Sequence, residues 1–204
     1  MFDFMKKSMP TARRFSGRTI AALFLMTLLV GCGSESSTST EFERTLQIAK
    51  TGAAEAQSNL GVMYVNGTGV PQDDVEAVKW YRKSAEQGFA MAQLKLGAMY
   101  ENGRGVPQDH VGAVKWYRMA AEQGDAEAQS NLGLMYVNGT GVPQDHVEAY
   151  AWWSVAAAGG YADAAKNRDI VKESLSGVSL HRVSDGLRSC LKGTAANRAS
   201  QASC

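Results

Sequence analysis

The residues of this 204-residue chain whose types could support chemistry are three histidines, three cysteines and one Ser-x-x-Lys pair. Ser189-Cys190-Leu191-Lys192 spaces a lysine where it could take the proton of a serine nucleophile, and Ser184-Asp185-Gly186 resembles the Ser-Asp-Asn partner motif of serine acyl transfer. That chemistry needs the two motifs to converge from distant segments on a pocket that also holds a Lys-Thr-Gly strand. Here Ser184 and Ser189 sit five positions apart on one expected helix with no strand beside it. His110 and His146 stand 36 positions apart, directly after Asp109 and Asp145. Equivalent points on stacked helices lie about 10 Å apart, too far to share a metal that holds its ligands at about 2 Å. Together with His181 they read as solvated imidazoles, so no catalytic residue, cofactor or metal ligand is assigned. Cys190 and Cys204 could pair in an oxidising compartment, and a bridge there would pin only the tail.

Cys32 is a different matter. Lys6, Lys7, Arg13, Arg14 and Arg18 precede an uncharged apolar run from Ile20 to Val30, which makes residues 1–31 a signal peptide. The run is too short to span a bilayer, which takes about 20 residues. Leu29-Val30-Gly31-Cys32 resembles the bacterial lipobox. The resemblance implies that the Cys32 thiol receives a diacylglycerol and becomes the first mature residue, held in the membrane by two or three acyl chains. Gly33, in place of Asp, implies the periplasmic face of the outer membrane. The following GSESSTST stretch has nothing to bury, so residues 32–40 are expected to be a flexible tether.

The formal net charge of +1 belongs to the leader: without residues 1–31 the chain holds 16 basic and 19 acidic residues, a net of −3. That excludes a global field for nucleic acid. With 45% apolar and 20% charged residues a folded core is expected, and 29 Ala and 21 Gly against 4 Pro point to close-packed helices.

A 36-residue period positions everything else. Gly61/Gly97/Gly133, Gly67/Gly103/Gly139, Asp73/Asp109/Asp145 and Trp80/Trp116/Trp152 all keep that spacing. It defines full repeats at 53–88, 89–124 and 125–160. Nineteen of the twenty positions from 54 to 73 recur from 126 to 145. Each unit reads as two helices. Ala56, Leu60, Met63 and Tyr64 form one stripe of the first, Gly61 lets a neighbouring helix approach it, and Gly67 takes the left-handed position that ends it. Asp73 and Glu76 form a capping box at the start of the second helix, whose buried stripe is Ala77, Trp80, Tyr81, Ser84 and Ala85. Gly112 replaces the box glutamate in the middle unit, which should leave that helix the most prone to fray. Trp152-Trp153 near Tyr150 is the densest aromatic cluster and the one place where a partly exposed ring could serve a ligand. Residues 41–52 read as a degenerate half-repeat cap. Residues 161–192 form the other cap, ending in a helix that starts at Ser179 and bears Leu180, Val183, Leu187 and Leu191. Residues 193–204 are a polar tail.

Ala-x-x-x-Leu-Gly-x-Met-Tyr, then Gly-x-Gly-Val-x-x-Asp, Ala-x-x-Trp-Tyr and Ala-x-x-Gly resemble the Sel-one-like repeat, a relative of the tetratricopeptide repeat. The resemblance implies an all-α, right-handed α-solenoid of antiparallel helix pairs spanning residues 41–192, whose first helices line the concave face. The positions there that are free to read a partner are Glu55, Asn59, Met91, Lys95, Glu127 and Asn131. The implied work is non-enzymatic: an envelope scaffold or adaptor for other envelope proteins, lipid-anchored through Cys32. The alternative is a binder or hydrolase of cell-wall precursors or β-lactams, as described for cysteine-rich members, but this chain lacks their paired cysteines in each repeat.

Overall fold

The computed structural model describes residues 35–175, and among them every regular element is a helix. In chain order these are α1 (Glu35–Lys50), α2 (Ala54–Asn66), α3 (Asp74–Glu86), α4 (Ala90–Asn102), α5 (His110–Glu122), α6 (Ala126–Asn138), α7 (His146–Ala158) and α8 (Ala162–Glu173). Helices α2/α3, α4/α5 and α6/α7 are the three repeat units, and each helix packs on the next along the chain to build an α-solenoid of antiparallel pairs. The leader, Cys32, the Ser179 helix, Cys190 and the polar tail lie outside the described residues.

The local signals act as their chemistry requires. Gly67 stands at φ 69°, where a side chain would be strained, and its N–H returns to the Met63 carbonyl to close the first helix. Asp73 is extended, and its carboxylate accepts from the Val75 and Glu76 amides at 2.9 and 3.0 Å, satisfying two of the donors that a helix start leaves free. Asp145 does the same for Val147 and Glu148, whereas Asp109 accepts only from Gly112, at 2.9 Å. The Glu76 side chain does not close the expected box; it pairs with Lys79 on the solvent side.

Packing inside a unit turns on one glycine. A Cβ on Gly61 would lie 2.6 Å from the Tyr81 ring, one on Gly97 would lie 2.7 Å from Tyr117, and one on Gly133 would lie 2.6 Å from Trp153. The second helix therefore rests an aromatic ring against bare backbone of the first. Leu60, Leu96 and Leu132 flank these contacts at 0% exposure, each contributing about 1.5–3 kcal/mol by burial. The buried stripe of the second helix is Ala77, Val78, Tyr81, Ser84 and Ala85. Val78 takes the place expected for Trp80, which is only half-buried under the Lys83 ammonium, 4.1 Å from its ring.

Between units, buried amides do the joining. Gln57, Gln93 and Gln129 each donate to a carbonyl of the preceding second helix, at Ala49, Ala85 and Ala121. Within each unit, Gln87 and Gln123 hold those amides in place by donating to the side-chain oxygens of Gln57 and Gln93, both at 2.6 Å. Arg82 reaches the Tyr100 hydroxyl at 2.6 Å, and Arg118 reaches that of Tyr136. Unsatisfied buried polar groups are costly, so each such pair also fixes the register of its junction.

The tether expectation is corrected over most of its length, because the helix starts at Glu35 and runs through Ser39 and Thr40. The cause is tertiary. A Cβ on Gly69 would lie 2.3 Å from the Thr38 carbonyl oxygen, as one on Gly105 would from Asp74 (2.2 Å) and one on Gly141 from His110 (2.3 Å). Helix α1 is thus a second helix in the same 36-residue register, pinned at Thr38 by the next unit's loop and at Phe42 by an edge-on contact with Tyr64, ring centroids 5.6 Å apart.

Candidate partner-binding face on the first helices

The six positions singled out as partner-reading lie on α2, α4 and α6, one turn apart within each helix. Glu55, Asn59 and Glu127 are exposed, Met91 is 46% exposed, and Lys95 and Asn131 are half-buried. Folding continues the stripe by two more turns and one more helix. Val62, Ala98 and Leu134 come next, then Asn66, Asn102 and Asn138, and α8 supplies Asp163, Asn167, Ile170 and Ser174 at the same 36-residue offset. Four rows result: acidic with one Met, amide with one Lys, apolar, and amide closing in Ser.

The apolar row is what the sequence reading missed. Val62 is 36%, Leu134 47% and Ile170 70% exposed, on the side of each helix away from the Leu60 and Leu132 core. A signal for it was present, since Val62/Leu134 is the one position in twenty at which the first and third units differ. A buried position under the same packing would be held, whereas a solvent-facing one is free to change.

Hollows adjoin the stripe at both ends and in the middle. Glu55 and Asn59 line one of ≈ 260 Å³ with Thr45 and Ile48. Met91 lines one of ≈ 480 Å³ with Phe89, Gln87 and Gln123. The third, of ≈ 250 Å³, has walls of Val137, Trp153, Ile170 and Val171 with His146 and Ser174 at its polar edge. A substitution between units lies in its wall. In the middle unit the Tyr117 hydroxyl donates to Glu101 at 2.6 Å. In the third unit Trp153 and Val137 stand at those positions, and the indole turns its N–H to the Ser130 carbonyl at 3.0 Å. In this cluster Trp152 is 3% and Trp153 4% exposed, with Trp153 in the ring slot over Gly133, and the partly exposed ring is that of Tyr150.

Electrostatics beneath the stripe hold the rings neutral. Burial pushes the Tyr81 hydroxyl up to about 12. Tyr117 is raised as well, first by burial and then by its hydrogen bond to the Glu101 carboxylate, which favours the protonated phenol. His146 Nδ1 lies 2.9 Å from the Ser174 hydroxyl. Among the described residues no group of three His, Cys, Asp or Glu is placed to hold a metal ion, and no helix is long and apolar enough to cross a membrane.

Comparison with known proteins gives this arrangement a family. The Sel1 repeat model matches residues 54–89, 90–125 and 126–161, one residue later than the frame read from the glycines. Among solved structures, the chain is similar to c5321, a protective antigen present in uropathogenic Escherichia coli strains displaying an SLR fold, with 33% identity and a TM-score of 0.69. That match covers 75% of this chain and 33% of the other. The chain is similar also to a Sel1 repeat protein from Oxalobacter formigenes, with 36% identity and a TM-score of 0.57, over 68% of this chain and 59% of that one. It therefore spans about a third and about three-fifths of these two relatives. A search of curated proteins finds no match. With three family repeats covering more than half of its length, and the glycine-on-ring packing repeated in each, the chain belongs to the Sel1 repeat family.

Proposed function

We propose that this protein is a non-enzymatic, envelope-anchored scaffold that binds other envelope proteins through the stripe on its first helices, the concave side of the solenoid. Sel1 repeats generally mediate protein–protein interactions, and their fold is typically a scaffold without catalysis. The observation that carries the reading is the exposed apolar row of Val62 and Leu134 with Met91 two turns away, flanked by amides and acids on successive helices. An apolar strip with polar rims is the composition of a protein-binding surface. Each exposed side chain gives up solvent only when a partner covers it. Anchoring rests on Cys32 and the leader before it.

Recovery of partners from the native envelope by chemical crosslinking and mass spectrometry tests the face. Met91→Glu with Leu134→Glu places two charges on side chains 46% and 47% exposed, leaving the core untouched. Partner recovery should fall at least tenfold with unchanged circular dichroism. Lys79→Glu with Lys115→Glu, on the second helices, should leave it intact. Loss in the second variant but not the first would overturn the assignment. Cys32→Ser should release the protein from the membrane fraction and abolish palmitate labelling; retention with unchanged processing would overturn the anchor.

A further inference from the structure

We propose that residues 180–191 of this same chain dock on α8, seating their apolar side chains in the hollow beside Ile170 and closing the carboxyl end of the apolar row. In each full unit the second helix starts eight positions after the first one ends: Asn66 to Asp74, Asn102 to His110, Asn138 to His146. No second helix follows α8 among the described residues, which stop at Leu175, next to the hollow's own Ser174. Ile170 is left 70% exposed over walls of Val137, Trp153 and Val171. The chain beyond is suited to cover it. Leu180, Val183, Leu187 and Leu191 are spaced three, four and four, one face of a helix. From Leu175 five residues reach Leu180, at most about 17 Å of chain.

Register and charge point to the same occupant. Gly177-Val178 lie 36 positions after Gly141-Val142. Gly105 and Gly141 press their bare backbones on the starts of α3 and α5, at Asp74 and His110. The same 36-residue step in the sequence pairs Gly177 with His146, which borders the hollow. Residues 35–175 hold 12 Lys/Arg against 18 Asp/Glu, a net of −6, whereas residues 176–204 hold 4 against 1, a net of +3. A segment bearing Arg182, Arg188 and Lys192 is therefore drawn to the body by its net charge, although the α8 carboxylates of Asp163 and Asp169 are already paired with Lys166 and Arg168.

The test uses the full chain with a benzophenone-bearing residue in place of Ile170. Irradiation should give a product of monomer mass whose crosslinked peptide lies within residues 180–191. Val183→Asp with Leu187→Asp should cut that yield at least fivefold and raise the fluorescence of an added apolar dye. A crosslink to a second copy, to an envelope protein, or to no part of residues 176–204 would overturn the proposal. The first measurement leaves the docking segment itself unaltered, so it stands whether or not the aspartate variant folds.

Discussion

Gly97→Ala adds one methyl at the tightest place in the middle unit, and the structure fixes the sign of its effect. The new Cβ would lie 2.7 Å from Tyr117 Cδ1, 2.8 Å from Cε1 and 3.2 Å from Cγ. Carbon atoms settle at about 3.5–4.0 Å, so the ring must withdraw by about 1 Å. It has nowhere to go, being 1% exposed with its hydroxyl held 2.6 Å from Glu101. Overpacking of this kind costs about 1–3 kcal/mol. Against it stands the gain of about 1 kcal/mol from replacing glycine within a helix. Because the ring is confined on every side, the overpacking cost falls in the upper half of that range, about 2–3 kcal/mol, so the net expectation is a loss of about 1–2 kcal/mol, which for a chain of this size lowers the melting temperature by roughly 3–8 °C. Thermal and urea unfolding followed by circular dichroism at 222 nm measure it. In a Tyr117→Leu background the same alanine should be neutral or stabilising by up to about 1 kcal/mol, since the ring that it strikes is gone. If Gly97→Ala melts at or above wild type, the ring-on-backbone account of these repeats is wrong.

Two further perturbations probe the cap and the buried phenols. Gly112→Glu restores the residue type found at Glu76 and Glu148 and puts an acid into the first turn of α5, which has none; propensity and the helix dipole should together add about 1 kcal/mol in urea unfolding, and an unchanged midpoint would refute the claim that this helix start is the weak one. Tyr81 ionises at about 12 in the fold against about 10 unfolded. Folding thus holds its proton more tightly, and the associated stability, present in full below pH 10, is lost as pH rises through 12, by about 2–3 kcal/mol. Tyr81→Phe should lose that much less than wild type between pH 9 and 12; identical losses would show that the ring is not desolvated.

The repeat frame, the helix pairs and the glycine contacts were legible because each rests on residue types with few physical substitutes. A ring can lie on backbone only at Gly61, Gly97 or Gly133, and a left-handed stop selects Gly67. Helix α1 was not legible over residues 35–40. Ser and Thr have indifferent helix propensity, and the contact that organises them comes from Gly69, some thirty residues away. The exchange of Trp80 for Val78 in the core has a similar cause: the two lie on opposite flanks of the Tyr81 stripe, Val78 beside Ala92 and Leu96 and Trp80 beside Leu60, and only the neighbouring helices decide which flank is fully covered. Of the candidate site, the six positions were found by asking which first-helix residues the core leaves over. The apolar row escaped that question because a single exposed valine or leucine reads like core, and only the comparison of units, Val62 against Leu134, marks the position as free to vary. Its extension to Asn167 and Ile170 was masked by Arg168-Asp169, which replace the Leu-Gly by which a first helix is recognised.

The glutamine contacts carry a consequence for how such a chain changes length. Gln93 gives its amide N–H to the unit behind, at Ala85, and the Ala121 carbonyl of the same unit receives one from Gln129 of the unit ahead. The middle unit therefore has a head and a tail that fit each other, like a link in a polymer. Another copy of residues 89–124 inserted after Gly124 would make a junction of the kind already present, with the copy's Gln93 donating to Ala121 as Gln129 does and its Tyr100 meeting Arg118 as Tyr136 does. The ends are different. Gly159 stands where a further glutamine would donate, and Ser154 where a further arginine would reach forward. A duplication in the interior is thus silent to the fold, while one that includes a terminus leaves a mismatched seam, so the number of links can drift over generations and the two ends cannot.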